Sequence, residues 1–378
     1  MDQNAIIGLA GLGTMGLGIA QVFLQAGHRV IATDEFAAAR ESAPERLRDA
    51  LERRVARGRM TAEARDAACD RLTVAPDSGG MADCALVIEA IIESPEAKRA
   101  LFSALEEVIA SDAILATNTS SLSVTELAQG LREPQRMIGL HFFNPAPAMK
   151  LVELVRTPHA DPAALDRAEA LVAQAGKTVI RCDDRPGFIV NRCARPFYGE
   201  ALAIVEEGAA TPGAVDAAMQ AAGYRLGPFS LIDLVGADIN LAASETVSQA
   251  MGGHPRYHVF DALRRQVAQG DLGRKSGKGF IHPDPLPEPP ADAAGIVARI
   301  EATLLNEAES LRAEGGCSAE DIDTALRLGL NFPHGPFEAG QAHGRAHIAA
   351  LLERLERDAP AHLRGRYTPQ GDLGKATG

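Results

Sequence analysis

The feature that most constrains this chain is a glycine-rich turn between two short apolar runs near its start. Residues 5–10 are apolar, and Gly11-Leu12-Gly13-Thr14-Met15-Gly16 follows them directly. A helical stretch then covers residues 18–25, Gly27 ends it, and residues 29–34 have the pattern of a second strand. This order of strand, GxGxxG turn, helix and strand predicts a βαβ unit that binds a dinucleotide.

Each glycine of the turn has a physical role in such a unit. Gly11 permits the tight turn, Gly13 lets the backbone approach a pyrophosphate, and Gly16 lets helix and strand pack closely. The helix N-terminus offers N–H groups to the phosphates. Asp34 lies 18 residues after Gly16, where a carboxylate accepts a hydrogen bond from a ribose 2′-OH and repels a 2′-phosphate. Because no arginine directly follows Asp34, NAD is favoured over NADP; a purely structural glycine turn is the alternative.

More strand-like runs separated by helical patterns follow the βαβ unit. Together they predict an α/β N-terminal Rossmann domain with a doubly wound, mostly parallel sheet, followed by all-α C-terminal domains. Glu93, Asn118, Ser120 and His141 lie at or just after strand ends, the edge along which open α/β sheets bind ligands. The runs are residues 85–89, 113–117, 137–141 and 151–155.

Composition excludes several classes of protein. A chain of 378 residues suits two or three domains, and its net charge of −12 argues against nucleic-acid binding. No segment reaches the about 20 apolar residues of a membrane span, and no basic leader precedes the first strand. The five cysteines are scattered without a CxxC pair, which is typical of reduced thiols in the cytoplasm and offers no metal site. We therefore expect an unprocessed cytoplasmic protein.

The second half of the chain contains an internal repeat. Helical periodicity begins near residue 188, and a proline-rich segment at 283–290 predicts a stiff linker. Segments on either side of this linker match at an offset of 107 residues, and then of 108. The matched pairs are Glu200-Ala201 with Glu307-Ala308, Glu207-Gly208 with Glu314-Gly315, Val215-Asp216 with Ile322-Asp323, and Gly227-Pro228-Phe229 with Gly335-Pro336-Phe337.

The repeat predicts a duplicated helical domain. The expected domains are an NAD-binding domain at 1–184, copy one at 185–282, a degenerate copy two at 291–364 and a flexible tail at 365–378. Copy one has Ile189-Val190-Asn191-Arg192 where copy two has Ile296-Val297-Ala298-Arg299. Because a structural copy tolerates the loss of an amide and a catalytic copy does not, copy one is interpreted as functional and copy two as architectural.

Four polar residues stand out as candidates for catalysis: Ser120, His141, Glu153 and Asn191. Oxidation of a secondary alcohol sends hydride to the coenzyme and the hydroxyl proton to a base. An imidazole suits that base because its pKa lies near neutrality, and a carboxylate on its other nitrogen fixes the tautomer. Serine and amide groups can position the substrate. Each of the four residues alone also has a structural interpretation, and spacing does not show that they meet.

The chain resembles the 3-hydroxyacyl-CoA dehydrogenase family over nearly its whole length. The resemblance implies His141 as base, Glu153 as its partner, and Ser120 and Asn191 as substrate-positioning groups. It places Glu93 and Lys98 near the nicotinamide half of NAD. The other coenzyme contacts that it implies are Thr14, Met15, Asn118 and Asn144. The motifs that carry it are residues 11–16, 118–122, 141–145, 150–153, 186–192, 227–229 and 273–280.

The resemblance implies NAD-dependent oxidation of an L-3-hydroxyacyl-CoA, such as 3-hydroxybutyryl-CoA, to the 3-oxoacyl-CoA. Helical spacing puts Arg46, Arg53 and Arg57 on one face. Arg53 and Arg57 are candidates to bind the phosphate groups of CoA. The alternative is a solvated helix whose arginines pair with Glu45 and Glu52.

Several alternatives stay open at this point. The protein is expected to be a homodimer, or a monomer in which copy two takes the partner's place. Competing functions are oxidation of a hydroxy acid without CoA, as in gulonate dehydrogenases, and a non-catalytic NAD-binding structural role. The acyl chain length, and whether the acyl group carries a second carboxylate, are undetermined by the sequence.

Overall fold

An eight-stranded sheet in the order β3-β2-β1-β4-β5-β6-β7-β8 forms the centre of the first part of the chain. The computed structural model describes residues 5–375. The strands are β1 Ile6–Ala10, β2 Arg29–Thr33, β3 Leu72–Val74, β4 Leu86–Glu89, β5 Ile114–Thr117, β6 Met137–Phe142, β7 Leu151–Arg156 and β8 Thr178–Asp183. The helices between them are α1 Thr14–Gln25, α2 Ala37–Val55, α3 Ala62–Asp70, α4 Pro95–Glu106, α5 Val124–Ala128 and α6 Pro162–Gln174. The predicted Rossmann fold is confirmed.

Strands β1 to β6 pair in parallel, and their composition explains it. Strands β4, β5 and β6 are buried at every residue, which is typical of a parallel sheet that is covered on both faces. Helices of this unit begin at capping residues: Ser94 Oγ accepts a hydrogen bond from the Ala97 amide at the start of α4, and Asp161 accepts one from the Ala163 amide at the start of α6. Pro95 and Pro162 follow these caps, where proline costs no helical hydrogen bond.

Strand β7 runs against the direction of the first six. It pairs antiparallel with β6, and β8 then runs parallel to β7. A short turn at residues 143–150 joins β6 to β7 in place of a crossover helix, and an antiparallel pair permits such a short connection. The register sets His141 directly opposite Glu153.

The second part of the chain is helical. The chain divides into two compact units after Phe188, where the sequence suggested 184, and both helical copies fall in one unit. The helices of copy one are α7 Val190–Cys193, α8 Arg195–Glu206, α9 Pro212–Ala221, α10 Pro228–Val235, α11 Ala237–Ala250 and α12 Asp261–Ala268. Those of copy two are α13 Ala293–Glu314, α14 Ala319–Leu330, α15 Pro336–His343 and α16 Arg345–Asp358. Residues 283–290 between the copies form neither helix nor strand.

The two copies differ at their first helix. Helix α13 is continuous over 22 residues, whereas the matching stretch of copy one is broken between α7 and α8. Pro196 stands at the start of α8, and its counterpart in copy two is Thr303. Because proline has no N–H and its ring clashes with the preceding turn, it interrupts the helix of copy one alone.

Reciprocal buried ion pairs join the copies. Arg192 Nε donates to Glu307 at 2.7 Å and its Nη2 to Glu314 at 2.6 Å. The matching residue of copy two, Arg299, donates from Nε to Glu200 at 2.6 Å and from Nη1 to Glu207 at 2.7 Å. These positions repeat at the same offset of 107 residues, so the two copies pack through equivalent surfaces with approximate twofold symmetry.

The predicted flexible tail at 365–378 is wrong for its described part. Arg366 and Tyr367 are 3% and 2% exposed, and both donate hydrogen bonds to Glu200. Leu373 is fully buried. These apolar and charge-paired contacts hold residues 365–375 against the helical unit, and the remaining tail residues, 376–378, lie outside the described part of the chain. No helix within residues 5–375 is long and apolar enough to cross a membrane.

The buried pairs predict a large stability effect from a single substitution. Arg192 and Glu307 are each 1% exposed, so Arg192→Met leaves a buried carboxylate short of its main partner. We expect a loss of about 3–5 kcal/mol in the free energy of unfolding, measured by urea denaturation. Arg48→Met removes a half-exposed pair with Asp66 and should cost less than about 1 kcal/mol. Equal losses of unfolding free energy in the two variants would contradict the conclusion that burial makes the loss of the Arg192 pair more costly.

Candidate active site

The glycine turn presents a helix N-terminus without a side-chain cap. Gly13 is the cap residue of α1, and within residues 5–375 no side-chain hydrogen bond caps this helix. A Cβ built on Gly11 would meet Ala90 O at 2.4 Å, and one on Gly16 would meet Gly11 O at 1.9 Å. Beyond its neighbours in the chain, nothing in the described structure lies within 4 Å of a Cβ on Gly13. Gly11 and Gly16 are therefore needed for packing, whereas the space beside Gly13 fits a pyrophosphate.

Asp34 lies beside this turn at the end of β2. Its carboxylate accepts hydrogen bonds from the Leu12 amide at 2.7 Å and the Phe36 amide at 2.9 Å. Arg46, from α2, donates to the Leu12 carbonyl oxygen at 2.9 Å. The predicted ribose-binding carboxylate is thus held next to the loop, and the residues present fit a dinucleotide.

His141 and Glu153 form a buried pair in the sheet. The Nδ1 atom of His141 lies 2.6 Å from Glu153 Oε2, and the side chains are 8% and 0% exposed. The Phe143 ring lies 4.4 Å from the imidazole between centroids. Among the described residues Nε2 of His141 has no hydrogen-bond partner. With Nδ1 bonded to the carboxylate, Nε2 is the atom that can exchange a proton with a ligand.

A second buried ionic cluster lies at the ends of β4 and β5. Lys98 Nζ is 2.6 Å from Glu89 and 3.1 Å from Glu93, and it is 1% exposed. Glu93 also accepts hydrogen bonds from Thr119 and Ser121. Burial opposes ionisation of Glu93, but the Lys98 charge and these hydrogen bonds hold its pKa below the usual value. Glu93 therefore stays ionised, and the contacts of this cluster fix the loops that follow both strands.

Sequence reasoning missed the contribution of Glu89. It is fully buried, accepts from Lys98 and from Thr117 Oγ1 at 2.7 Å, and receives the Ile91 amide. One sequence signal could have identified this role of Glu89: a carboxylate at the end of an apolar strand, with a lysine nine residues later.

Of the other predicted coenzyme residues, Thr14 and Met15 begin α1, whereas Asn118 and Asn144 lie in the loops at this edge of the sheet. Asn118 Oδ1 accepts from the Phe142 amide at 2.8 Å, which ties β5 to the end of β6. Ser120 follows in the same loop and is half-buried, and Asn144 is exposed in the turn after β6. Asn191, the fourth catalytic candidate, belongs to α7 of the second unit. Within the first unit, His141 and Glu153 are in direct contact.

Lys177 was also missed. Its ammonium group donates to the carbonyl oxygens of Ala146 and Met149 at 2.6 and 2.7 Å, and burial lowers its pKa to about 8. It holds the turn that carries Asn144 and that sets the β6–β7 register. An isolated lysine next to a strand gives no sequence signal of this role.

The arginine-rich helix differs from its prediction in two respects. Helix α2 ends at Val55, so Arg57 lies beyond it and helical spacing does not place it on the face of Arg46. Glu52 pairs with Arg65 of α3 rather than with an arginine of its own helix. Arg53 and Arg57 are exposed, and no ion pair to either is formed within the described residues.

The fold and the glycine turn define a protein of the dinucleotide-binding class. The model of the 3-hydroxyacyl-CoA dehydrogenase NAD-binding domain matches residues 6–185, and that of the C-terminal domain of the same family matches residues 187–282 and 296–378. The chain therefore belongs to the 3-hydroxyacyl-CoA dehydrogenase family, and it is an NAD-dependent oxidoreductase that acts on CH–OH groups.

Relatives match over nearly the full length or over about three quarters of the chain. The 3-hydroxyadipyl-CoA dehydrogenase of Escherichia coli K12 is 33% identical over 93% of each chain. The 3-hydroxybutyryl-CoA dehydrogenase of Mycobacterium tuberculosis is 41% identical, covering 74% of this chain and 98% of its own. A crystal structure of 3-hydroxybutyryl-CoA dehydrogenase from Escherichia coli K12 superposes with a TM-score of 0.91 at 32% identity, covering 98% of both chains.

The glycine turn generates a prediction that separates folding from coenzyme binding. Gly13→Ala should fold normally because the added methyl meets no protein atom, yet it should weaken NADH binding at least about tenfold by filling the pyrophosphate space. Gly16→Ala should instead destabilise the fold. Thermal unfolding and NADH fluorescence titration measure the two effects, and normal NADH affinity in Gly13→Ala would contradict this assignment.

Proposed function

We propose that this protein oxidises a short L-3-hydroxyacyl-CoA to the 3-oxoacyl-CoA, with His141 as the general base and Glu153 as its partner. The observation that carries the proposal is the buried 2.6 Å contact between the two side chains. NAD, when bound, accepts the hydride from carbon 3. The names of the relatives support a CoA thioester, because both the 3-hydroxyadipyl and the 3-hydroxybutyryl enzymes act on one.

The proposed steps use the two nitrogens of the imidazole differently. Nε2 takes the proton of the substrate hydroxyl, and the Glu153 carboxylate on Nδ1 stabilises the imidazolium that forms. Because Glu153 is fully buried, its charge is screened little by water and acts strongly on the ring. Ser120 and Asn191 hold the substrate oxygens, a role that supplies orientation rather than proton transfer.

His141→Gln should lower kcat by about 10²–10⁴ because it removes a positioned base. The measurement is NADH oxidation with acetoacetyl-CoA, run beside free acetoacetate to test whether CoA is required. His159→Gln changes an exposed histidine and serves as the matched control. Near-normal turnover in His141→Gln would refute the base assignment, and equal use of free acetoacetate would refute the thioester.

For the CoA half, we propose that Arg53 and Arg57 contact phosphate groups. Their exposure without protein ion pairs leaves both guanidinium groups available. The double variant Arg53→Ala/Arg57→Ala should raise KM for acetoacetyl-CoA about 5–30-fold and leave kcat nearly unchanged, since each exposed charge contact is worth roughly 0.5–1 kcal/mol. Arg48→Ala, on the same helix but paired with Asp66, is the control. An unchanged KM would exclude the CoA role.

A further inference from the structure

Arg195 occupies an unusual environment in copy one. It follows Asn191 by four residues, and its Nε donates to the Asn191 carbonyl oxygen at 3.0 Å. Its Nη1 donates to Ser244 Oγ at 3.1 Å, and its guanidinium lies 5.0 Å from the centroid of the Tyr198 ring. Both acceptors are neutral, and no carboxylate in residues 5–375 forms an ion pair with it. Other buried arginines of this unit, such as Arg192 and Arg299, are paired with glutamates.

The charge of Arg195 is therefore left uncompensated by the protein. A guanidinium has five N–H donors, and the protein contacts use only two of its nitrogens. Burial lowers the pKa of Arg195, and the neighbouring Tyr198 opposes this shift. A half-buried cation with spare donors and no counter-ion is a site for an anionic ligand group.

Arg195 also lines a small cavity of about 20 Å³, which opens to solvent. Tyr198, Ser244 and a second arginine, Arg256, contribute to its wall, and none of the described lining residues is acidic. Nε and Nη1 of Arg256 are buried without a hydrogen-bond partner in the described structure, and the nearest carboxylate oxygen, from Glu307, is 3.6 Å from Nη1. Two arginines thus face a cavity that contains no protein anion.

The duplicated copy supplies an internal comparison. At the repeat offsets of 107 and 108, Asn191, Arg195 and Ser244 correspond to Ala298, Ala302 and Leu352. Ala302 and Leu352 are fully buried. Residues that join the copies, such as Arg192 and Arg299, are retained in both. The polar trio has therefore been lost as a set in the copy without a catalytic role, which links Arg195 and Ser244 to the function of Asn191.

We infer that Arg195 binds a second carboxylate at the far end of the acyl chain, so that the preferred substrate is a 3-hydroxyacyl-CoA derived from a dicarboxylic acid. This inference rests on the proposed function, in which Asn191 positions the oxygen at carbon 3. Arg195 follows Asn191 by four residues, and its Nε donates to the Asn191 carbonyl oxygen, so its guanidinium lies beside the residue that is proposed to position the substrate. Ser244 orients the guanidinium.

The test compares two substrates of equal length. 3-Hydroxyadipyl-CoA ends in a carboxylate and 3-hydroxyhexanoyl-CoA ends in a methyl group. The native enzyme should favour the first, and Arg195→Met should lower the ratio of the two kcat/KM values about 10–100-fold, the scale of a charge-assisted hydrogen bond. Most of the change should lie in KM. Arg195→Lys, which keeps the charge without the planar fork, should restore part of the ratio.

A second variant tests the same guanidinium by giving it a competing partner within the protein. Ser244→Asp places a carboxylate beside Arg195 and should lower the same ratio by competing with the substrate. Arg264→Met, which removes an exposed arginine paired with Glu245, should leave the ratio unchanged. An equal fall with both substrates in Arg195→Met, or a native enzyme without preference, would overturn this inference and leave the proposed function intact. A native enzyme inactive on both thioesters would overturn the proposed function itself.

Discussion

The contact between His141 and Glu153 is the interaction on which the proposed chemistry of this protein depends. A fully buried carboxylate is costly unless a charged or hydrogen-bonding partner compensates for its lost hydration. The sheet supplies that partner by reversing one strand: β7 runs antiparallel to β6, and the register sets the two residues directly opposite each other. The short turn that permits this reversal is in turn held by Lys177 through two carbonyl oxygens. Backbone pairing thus fixes the side-chain geometry.

The loops around this pair are fixed by charge rather than by packing alone. The buried pair of Glu89 and Lys98 extends to the more exposed Glu93, and together they connect β4, α4 and the loop after β5. Such a cluster is stable only when each charge is paired, because the low dielectric of the interior penalises any that is not. The result is a rigid edge of the sheet in which Asn118 and Ser120 have defined positions.

The two helical copies share the residues that bind them to each other but differ at the residues proposed to act on the substrate. Both copies keep the arginines and glutamates that bind them to each other, since the loss of either partner would bury an unpaired charge. They diverge where no such penalty applies: Asn191 is replaced by Ala298 and Arg195 by Ala302. Copy two also has His334 and His343 at the positions of Leu226 and Val235. Both histidines contact Glu301, whose counterpart in copy one is Ala194. The residues at the interface between the copies are retained, whereas residues away from it differ. This difference separates the residues that hold the copies together from those that are proposed to act on the substrate.

The sequence by itself determined the Rossmann fold, the glycine turn and the repeat, because these follow from local spacing: a period of apolar residues, glycines where a Cβ would clash, and matched residues at a fixed offset. It also suggested His141 and Glu153, but it did not show their contact, since twelve residues of separation become neighbours only through the strand reversal. Tertiary structure alone decided the end of α2 before Arg57, the packing of Arg366 and Tyr367 against Glu200, and the unpaired state of Arg195. These depend on which charges meet across distant segments, and no local pattern encodes such encounters.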